Sequence, residues 1–363
     1  MRICKFMSVE TNPIIFMDTS VDNSVTIIIA TYIRYEALNL SLQSVYSQTY
    51  TNWKVLIIAD CCDAEFISNV DLSNEKVQLI NLPQRCGNQY GPNSVGIHLA
   101  QSQYIAFLNH DDLWLSDHLE IAIKTMKEKK ADFFLGKAAF CHSKNQDICL
   151  EKKGHLMFSE INSPEAIWRC LSGPNSLFEP ASSWVVKTEL AKKIGYWMPP
   201  GKISTTPVLN WLQRAAKQNA VFCFSNQLSV LKINLHQITN GNLPLYSSSE
   251  KYLDQLKKII GSRPEFLREQ VKNDILEAKE MQLITRVELE NDFTKGPEEE
   301  ILKKKYLEFI ESSINIEEDE GETKRMETFM LSTLSSRTGE VINKFPDIEA
   351  LIDQMNFKII SHA

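Results

Sequence analysis

Residues 25–30 read VTIIIA, and this short apolar stretch is the first of four that decide the fold. The others read WKVLIIA, VQLINL and YIAFLN, at residues 53–59, 77–82 and 104–109. Each has the length of a buried strand and is rich in residues that favour strands. The sequence therefore predicts four buried strands in the first third of the chain.

Helical patterns lie between these strands. Leu38, Leu42 and Val45 recur at helical spacing after the first strand, and a second helix is predicted over residues 93–100. Strands that alternate with helices are typical of an α/β fold with a doubly wound, mainly parallel sheet. Ligands bind such a sheet at the carboxyl ends of its strands, so the residues that follow each strand are the first candidates for a site.

The composition limits the class of function. The chain has 363 residues, a formal net charge of −7 and 43% hydrophobic residues, which is enough for a large core. A negative chain lacks the field that attracts phosphate backbones, so no nucleic-acid partner is expected. The sequence has no apolar run of about 18–20 residues and no signal-peptide pattern, and its eight scattered cysteines suit reduced thiols. We expect a cytoplasmic protein, peripheral at the membrane if it meets one.

Changes in composition divide the chain into segments. An N-terminal extension at 1–24 precedes an α/β domain at 25–240, whose two halves are 25–120 and 121–240. Beyond this domain the apolar residues adopt helical spacing, and Lys, Glu and Gln become frequent, which predicts a helical tail at 246–363. The apolar stripes of such a tail can pack on the domain or form a homodimer.

The strongest chemical signal is FLNHDDLW at residues 107–114, where a buried strand ends in two adjacent carboxylates, Asp111 and Asp112. Close carboxylates repel one another unless a cation or hydrogen-bond donors stabilise them. Mg²⁺ and Mn²⁺ prefer oxygen ligands and complete their shells with water and substrate phosphates. The alternative is that one carboxylate caps the next helix. We favour a Mn²⁺ or Mg²⁺ site, because Asp60 follows the second strand and is expected at the same edge.

Polar residues also follow the second and third strands. Asp60 can accept a hydrogen bond from a nucleobase N–H or bond its own turn. Arg85 can donate to a base or a phosphate, or be an ordinary surface charge. Gly87 and Gly91 permit a tight backbone turn near a ligand, although two glycines in a loop are a weak signal on their own.

Taken together, these motifs resemble a known family. The stretches IIATYIR, SVYSQTYTNWKVLIIADCCD, GPNSVGIHLA and YIAFLNHDDLW, in this order, are similar to the family 2 glycosyltransferases of the GT-A fold. The resemblance is close over 25–120 and looser to about 240. It implies a Rossmann-like GT-A fold and inverting transfer of a sugar from a nucleoside diphosphate sugar, usually a UDP sugar, with Mn²⁺ or Mg²⁺. The implied acceptor is a glycan, a lipid-linked saccharide or a protein.

The resemblance also implies roles for single residues. Asp111 would bind the metal with support from Asp112, and the ion would neutralise charge on the departing diphosphate. The residues expected to bind the nucleotide sugar share positions at or just beyond strand ends or in the loop and helix after the third strand: Thr31, Asp60, Arg85, Gly87, Asn93 and Asp111.

One position departs from the family pattern. Asn210, in TPVLNWLQR, stands where an aspartate is expected as general base, and Asn cannot accept a full proton at neutral pH. Glu179 is the substitute candidate. Two hypotheses follow, an active transferase and a degenerate relative that binds a nucleotide sugar or a partner without turnover. An unrelated nucleotide-binding enzyme is disfavoured, because the sequence lacks GxGxxG and P-loop motifs at the expected places.

Overall fold

The computed structural model describes most of the α/β domain and parts of the tail. The described residues are 23–144, 147–148, 156–157, 180–234, 257–280, 304, 308, 320–338 and 342–355. The strands are β1 (Val25–Thr31), β2 (Trp53–Ala59), β3 (Val77–Asn81), β4 (Tyr104–Asn109), β5 (Leu113–Trp114), β6 (Phe133–Lys144), β7 (Asp147–Ile148), β8 (Leu156–Met157), β9 (Trp184–Lys187) and β10 (Phe222–Asn234). The helices are α1 (Tyr35–Tyr46), α2 (Ala64–Asn69), α3 (Tyr90–Leu99), α4 (His118–Lys129), α5 (Thr188–Ile194), α6 (Pro207–Lys217), α7 (Pro264–Glu280), α8 (Glu320–Thr338) and α9 (Ile348–Gln354).

The strands form one mixed sheet in the order β3-β2-β1-β4-β9-β6-β10-β5, with β7 and β8 paired to β6. Strands β1 to β4 are parallel to one another. Strand β9 runs antiparallel to both β4 and β6, and β10 runs parallel to β6. Therefore β1 to β4, β6 and β10 all point the same way. Their last residues meet at one edge, which we call the carboxyl edge.

The predicted α/β class and the four early strands are confirmed. Strands β1, β2 and β4 have apolar faces on both sides of the sheet: Ile28 belongs to one core cluster, while Ile27 and Ile29 belong to the other. Burial on both faces explains why VTIIIA is apolar at every position but one instead of alternating. Helix α3 begins at Tyr90, earlier than predicted, because Pro92 is tolerated in a first turn where its missing N–H has no partner to lose.

The described end of the tail packs on the α/β domain. Phe345 and Leu351 are buried in the same core cluster as Tyr90 of α3. The Tyr90 hydroxyl donates a hydrogen bond of 2.7 Å to the carbonyl of Pro346, and the Phe345 ring meets the Tyr90 ring edge-on. This part of the tail therefore completes the core of the domain, whereas the homodimer stays a prediction. Among the helices in the described ranges, we find none with both the length and the apolar character that crossing a membrane requires.

Candidate functional site

Strand register brings the predicted site residues to the carboxyl edge. Thr31, the last residue of β1, lies opposite Ala59 of β2, so Asp60 emerges beside it. On the other side Ala30 lies opposite Asn109 of β4, so His110 and Asp111 follow there. The expectation that carboxylates after two different strands share one edge is therefore met by the pairing of the strands.

Asp60 fastens the loop of residues 85–87 to the end of β2. Its carboxylate is buried and accepts hydrogen bonds from the Arg85 side chain and from the backbone N–H groups of Cys86, at 2.6 Å, and Gly87, at 2.8 Å. Burial raises the pKa of Asp60, whereas Arg85 and the two N–H groups lower it. Gly87 adopts a positive φ of 70°, which a residue with a side chain rarely adopts. Asp60 thus sets the position of Arg85, and its contact with a nucleobase stays a prediction.

A flat polar and aromatic surface forms where β1 ends. The Arg85 guanidinium lies 3.2 Å from the centre of the Tyr32 ring. Ile33, next in the chain, has a positive φ of 43° and an exposed side chain, a conformation that is uncommon for a β-branched residue. The Thr31 hydroxyl is buried without a hydrogen-bond partner among the described residues. Strained backbone and an unsatisfied hydroxyl at one loop are typical of a ligand site.

Asn93 and Gly87, which were also predicted to bind the nucleotide sugar, are packed against other parts of the protein. Asn93 is buried within α3, and only its backbone N–H bond to Gln89 is described. Gly87 lies close to the tail. A β-carbon added at Gly87 would lie 2.6 Å from the side chain of Leu334 and 2.7 Å from that of Ile342. The roles of Asn93 and Gly87 in binding a nucleotide sugar stay predictions.

Asp111 is flanked by two cations. Arg34 donates to one of its carboxylate oxygens at 3.0 Å, and the Lys232 ammonium lies 3.8 Å from the other. Burial opposes the charged form of Asp111, yet Lys232 and Arg34 hold its pKa well below the ordinary value. The carboxylate is therefore ionised at neutral pH.

His110 forms hydrogen bonds with both Arg34 and the end of β1. Its Nδ1 lies 3.1 Å from the carbonyl of Ala30, so Nδ1 carries the proton that it donates, and its Nε2 accepts from Arg34 at 2.7 Å. Burial, with Arg34, lowers the pKa of His110 to about 4. His110 is accordingly neutral at pH 7 and holds the Arg34 guanidinium in place beside Asp111.

Asp112 has a different environment from its neighbour. It is fully buried, and its carboxylate accepts hydrogen bonds from Lys232 at 2.9 Å, Asn109 at 2.9 Å and the Ser182 hydroxyl at 2.5 Å. Burial raises the pKa of Asp112, and Lys232 opposes that rise. Both oxygens face protein donors, so the geometry does not fit Asp112 as a metal ligand. It orders the turn that presents Asp111.

Among the described residues at the carboxyl edge, Asp111 is the carboxylate that is open to a divalent ion. Within the described ranges no three His, Cys, Asp or Glu side chains are grouped as a metal cluster. Mg²⁺ is nevertheless commonly bound by one or two carboxylates together with water and substrate phosphates. Asp111, 15% exposed, fits that donor set once a diphosphate is present. The Mn²⁺ or Mg²⁺ cofactor stays a prediction, with Asp111 as its protein ligand.

Three side chains at this edge were missed by the sequence analysis. Arg34 lies in the quoted stretch IIATYIR, and its place four residues after Ala30 was a usable signal. Lys232 and Ser182 reach the edge only through the pairing of β9 and β10 with the rest of the sheet. Neither carries a local pattern that points to Asp112.

Asn210, at the expected position of the general base, has a structural contact. It lies within α6, is buried, and accepts a hydrogen bond of 3.0 Å from Arg214 one turn later. Arg214 also donates to the backbone carbonyls of Ile194, at 2.8 Å, and Tyr196. The substitute base Glu179 lies outside the described residues.

Replacement of Asn210 with alanine is expected to have a small effect. Arg214 keeps its two carbonyl partners, so we expect the free energy of unfolding to fall by about 1 kcal/mol and turnover of the donor to change less than about twofold, since removing one hydrogen bond leaves the other contacts in place. Urea denaturation and nucleotide-release rates measure the two effects. A large fall in turnover with intact donor affinity would instead give Asn210 a direct role.

A buried histidine beneath the site makes stability depend on pH. His118 stacks on Trp114, its Nδ1 lies 2.9 Å from the Ser229 hydroxyl, and burial lowers its pKa to about 3. The unfolded chain takes up this proton near pH 6.5, so the folded state loses stability as the pH falls from about 6.5 towards 3. Urea midpoints between pH 7.5 and 4.5 should show this loss. We expect a flatter profile for His118→Gln, and a profile as steep as wild type would contradict the assignment; His98→Gln, at a surface histidine, is the matched control.

Part of the chain is similar to a known family. The family described as glycosyl transferase family 2 matches residues 26–194. A UDP-Glc:alpha-D-GlcNAc-diphosphoundecaprenol beta-1,3-glucosyltransferase, WfgD of Escherichia coli, is 29% identical over 125 residues, which cover 32% of this chain and 46% of that protein. The poly(ribitol-phosphate) beta-N-acetylglucosaminyltransferase TarP of Staphylococcus aureus is 28% identical over 117 residues, 31% of this chain and 36% of that protein.

The sequence matches cover only part of each relative. The chain spans less than half of each of these two relatives. Among solved structures, S. aureus TarS 1-349 in complex with UDP-GlcNAc is similar with a TM-score of 0.44 and 14% identity, over 89% of this chain and 97% of that one. The match to glycosyl transferase family 2 therefore covers residues 26–194 of this chain.

Proposed function

We propose that this chain transfers a sugar from a nucleoside diphosphate sugar, with UDP as the favoured nucleotide, to a hydroxyl group of its acceptor. In the inverting reaction the acceptor oxygen forms a bond to the anomeric carbon while the bond from that carbon to the diphosphate breaks. The hydroxyl proton passes to a general base, and the nucleoside diphosphate leaves. The observation that carries the proposal is the meeting of Asp60, Arg85, Arg34 and Asp111 at the carboxyl edge.

The chemistry of this edge suits a nucleotide diphosphate. Arg85, fixed by Asp60 over the Tyr32 ring, gives a planar donor and a flat surface for a base or a ribose. Arg34 and Lys232 supply positive charge for phosphate oxygens. Because these side chains come from loops after β1 and β3 and from β10, one rigid sheet positions all of them.

A divalent ion, Mn²⁺ or Mg²⁺, belongs to the proposal. Asp111 would hold it, and when bound the ion supplies Lewis-acid stabilisation of the leaving diphosphate. Asp112, Ser182 and Asn109 keep the turn that carries Asp111 in one conformation. Their contribution is to present the ligand without reaching the ion.

The names of two relatives support a proposal for the acceptor class. WfgD is named for an acceptor sugar on a lipid diphosphate, and TarP for a phosphate-linked polymer as acceptor. We propose a hydroxyl of a lipid-linked saccharide or a surface polymer for this chain as well, reached from a peripheral position at the membrane. A second candidate is donor binding without turnover, favoured by Asn210 at the position of the expected base.

A donor panel tests the proposal. Thermal stabilisation and calorimetry with UDP, GDP and dTDP sugars, each with and without Mn²⁺, identify the donor, and nucleotide release measures turnover. Binding with release supports the transferase, and binding without release under a range of acceptors supports the second candidate. Failure of the folded protein to bind any donor would overturn both.

A further inference from the structure

Among the described side chains, the charges in contact with Asp111 and Asp112 balance one another. The two carboxylates, Asp111 and Asp112, are matched by two cations, Arg34 and Lys232, and the His110 imidazole between β1 and Arg34 is neutral. All four charged side chains are at most 18% exposed, so solvent and salt screen them poorly. The formal charges of these four side chains therefore sum to zero.

Lys232 is shared between the two carboxylates. Its ammonium lies 2.9 Å from Asp112 and 3.8 Å from Asp111. Asp112 is fully buried, and its bond to Lys232 gives this carboxylate a partner of opposite charge. The same ammonium also neutralises Asp111, which is the carboxylate that a ligand can reach.

This arrangement disfavours a free metal ion. A divalent cation that approaches Asp111 alone meets the positive charges of Arg34 and Lys232 on the same carboxylate. A nucleoside diphosphate carries roughly two or more negative charges. Its phosphate oxygens are new hydrogen-bond partners for Arg34 and Lys232. A metal and a diphosphate that enter together leave the group close to neutral.

We propose that Lys232 is a positioning residue that keeps Asp111 neutralised until a nucleoside diphosphate binds, so that metal and diphosphate bind cooperatively. The inference rests on the proposed function, because it requires a diphosphate donor. When the phosphate oxygens engage Lys232 and Arg34, the Asp111 carboxylate becomes available to the ion. By linkage, the metal then raises nucleotide affinity by the same factor as the nucleotide raises metal affinity.

Calorimetric titrations with Mn²⁺ alone, UDP alone and Mn²⁺ at saturating UDP test this. For the wild type we expect UDP to raise Mn²⁺ affinity roughly tenfold or more. For Lys232→Met we expect Mn²⁺ alone to bind about tenfold more tightly than to the wild type, because the group then carries a net negative charge. The enhancement by UDP should shrink in this variant.

Two further variants keep the test sharp. Lys187→Met removes a strand lysine that pairs with Asp132 at the opposite edge of the sheet, at 2.7 Å, and should titrate like the wild type. If Lys232→Met fails to fold because Asp112 is left unpaired, the double variant Lys232→Met with Asp112→Asn is compared with Asp112→Asn alone. The same gain in affinity for free Mn²⁺ is expected between those two.

The outcomes separate the inference from the function on which it rests. Equal Mn²⁺ affinity with and without UDP, or unchanged Mn²⁺ binding in the Lys232 variants, would overturn the inference while leaving a donor-binding protein. A folded wild type that binds no UDP even with Mn²⁺ would overturn the proposed function itself, and the inference with it.

Discussion

Replacement of Asp60 with alanine is expected to abolish donor binding and to lower the free energy of unfolding by about 3–5 kcal/mol. The variant leaves the Arg85 guanidinium without its carboxylate and the N–H groups of Cys86 and Gly87 without their acceptor. A buried charge and buried donors that lose their partner bear the full cost of desolvation. The loop of residues 85–87 should then detach from β2, and Arg85 should leave the Tyr32 ring.

Urea denaturation and UDP calorimetry below the melting temperature measure the two effects of this change. Asp63→Ala is a matched control three residues away, because Asp63 only caps α2 through the N–H of Phe66 at 2.8 Å. We expect that control to cost about 1 kcal/mol and to keep donor affinity. Asp60→Asn should lie between the two, since an amide oxygen still accepts from N–H groups but does not pair with Arg85 as an ion. Wild-type UDP affinity in Asp60→Ala would show that the loop does not bind the donor.

Replacement of Phe345 with alanine is also expected to lower the free energy of unfolding strongly. Its ring is buried against Tyr90, at 6.1 Å between ring centres, although it lies more than 250 residues further along the chain. Truncation of a buried Phe costs about 3–5 kcal/mol, from lost burial and from the cavity left behind. Thermal and urea unfolding should both shift. Donor affinity should fall as well, because Tyr90 begins the helix that follows residues 85–87.

A control in the same tail tests whether this loss is specific. Phe329 lies on α8 with 61% of its surface exposed, so Phe329→Ala should change the free energy of unfolding by no more than about 0.5 kcal/mol. Similar melting temperatures for Phe345→Ala and Phe329→Ala would contradict the packing of the tail on α3. A stability loss in Phe345→Ala with unchanged UDP affinity would limit the role of this contact to the core.

Local patterns predicted the parts of the site that belong to consecutive β-α-β units. The strands before Asp60 and Asp111 are mostly apolar, and the rule that parallel strands end at one edge predicted that both carboxylates lie there. The role of Asp112 was not predictable in this way. Its burial depends on Lys232 and Ser182, which arrive from β10 and from the turn before β9. No pattern near Asp112 specifies partners that are 70 and 120 residues away.

The packing of the tail was likewise not predictable from local sequence patterns. Helical spacing indicated that residues after 246 form helices, but amphipathic spacing does not say which surface an apolar stripe will cover. The contact between Leu334 and Gly87 depends on a glycine whose missing side chain makes room for it. Sequence reasoning assigned that glycine to the ligand, and its packing role became apparent only in the folded chain.

The bond from Tyr90 to the carbonyl of Pro346 also has a consequence for synthesis of the protein. Contacts between residues so distant in sequence form late, because the whole intervening chain must be ordered or looped out before they close. On the ribosome, β1 to β4 can pair long before residue 345 emerges. A nascent or cleaved chain that stops short of that point would carry an assembled parallel sheet with an uncovered apolar patch at the start of α3, a species prone to aggregation or to capture by chaperones.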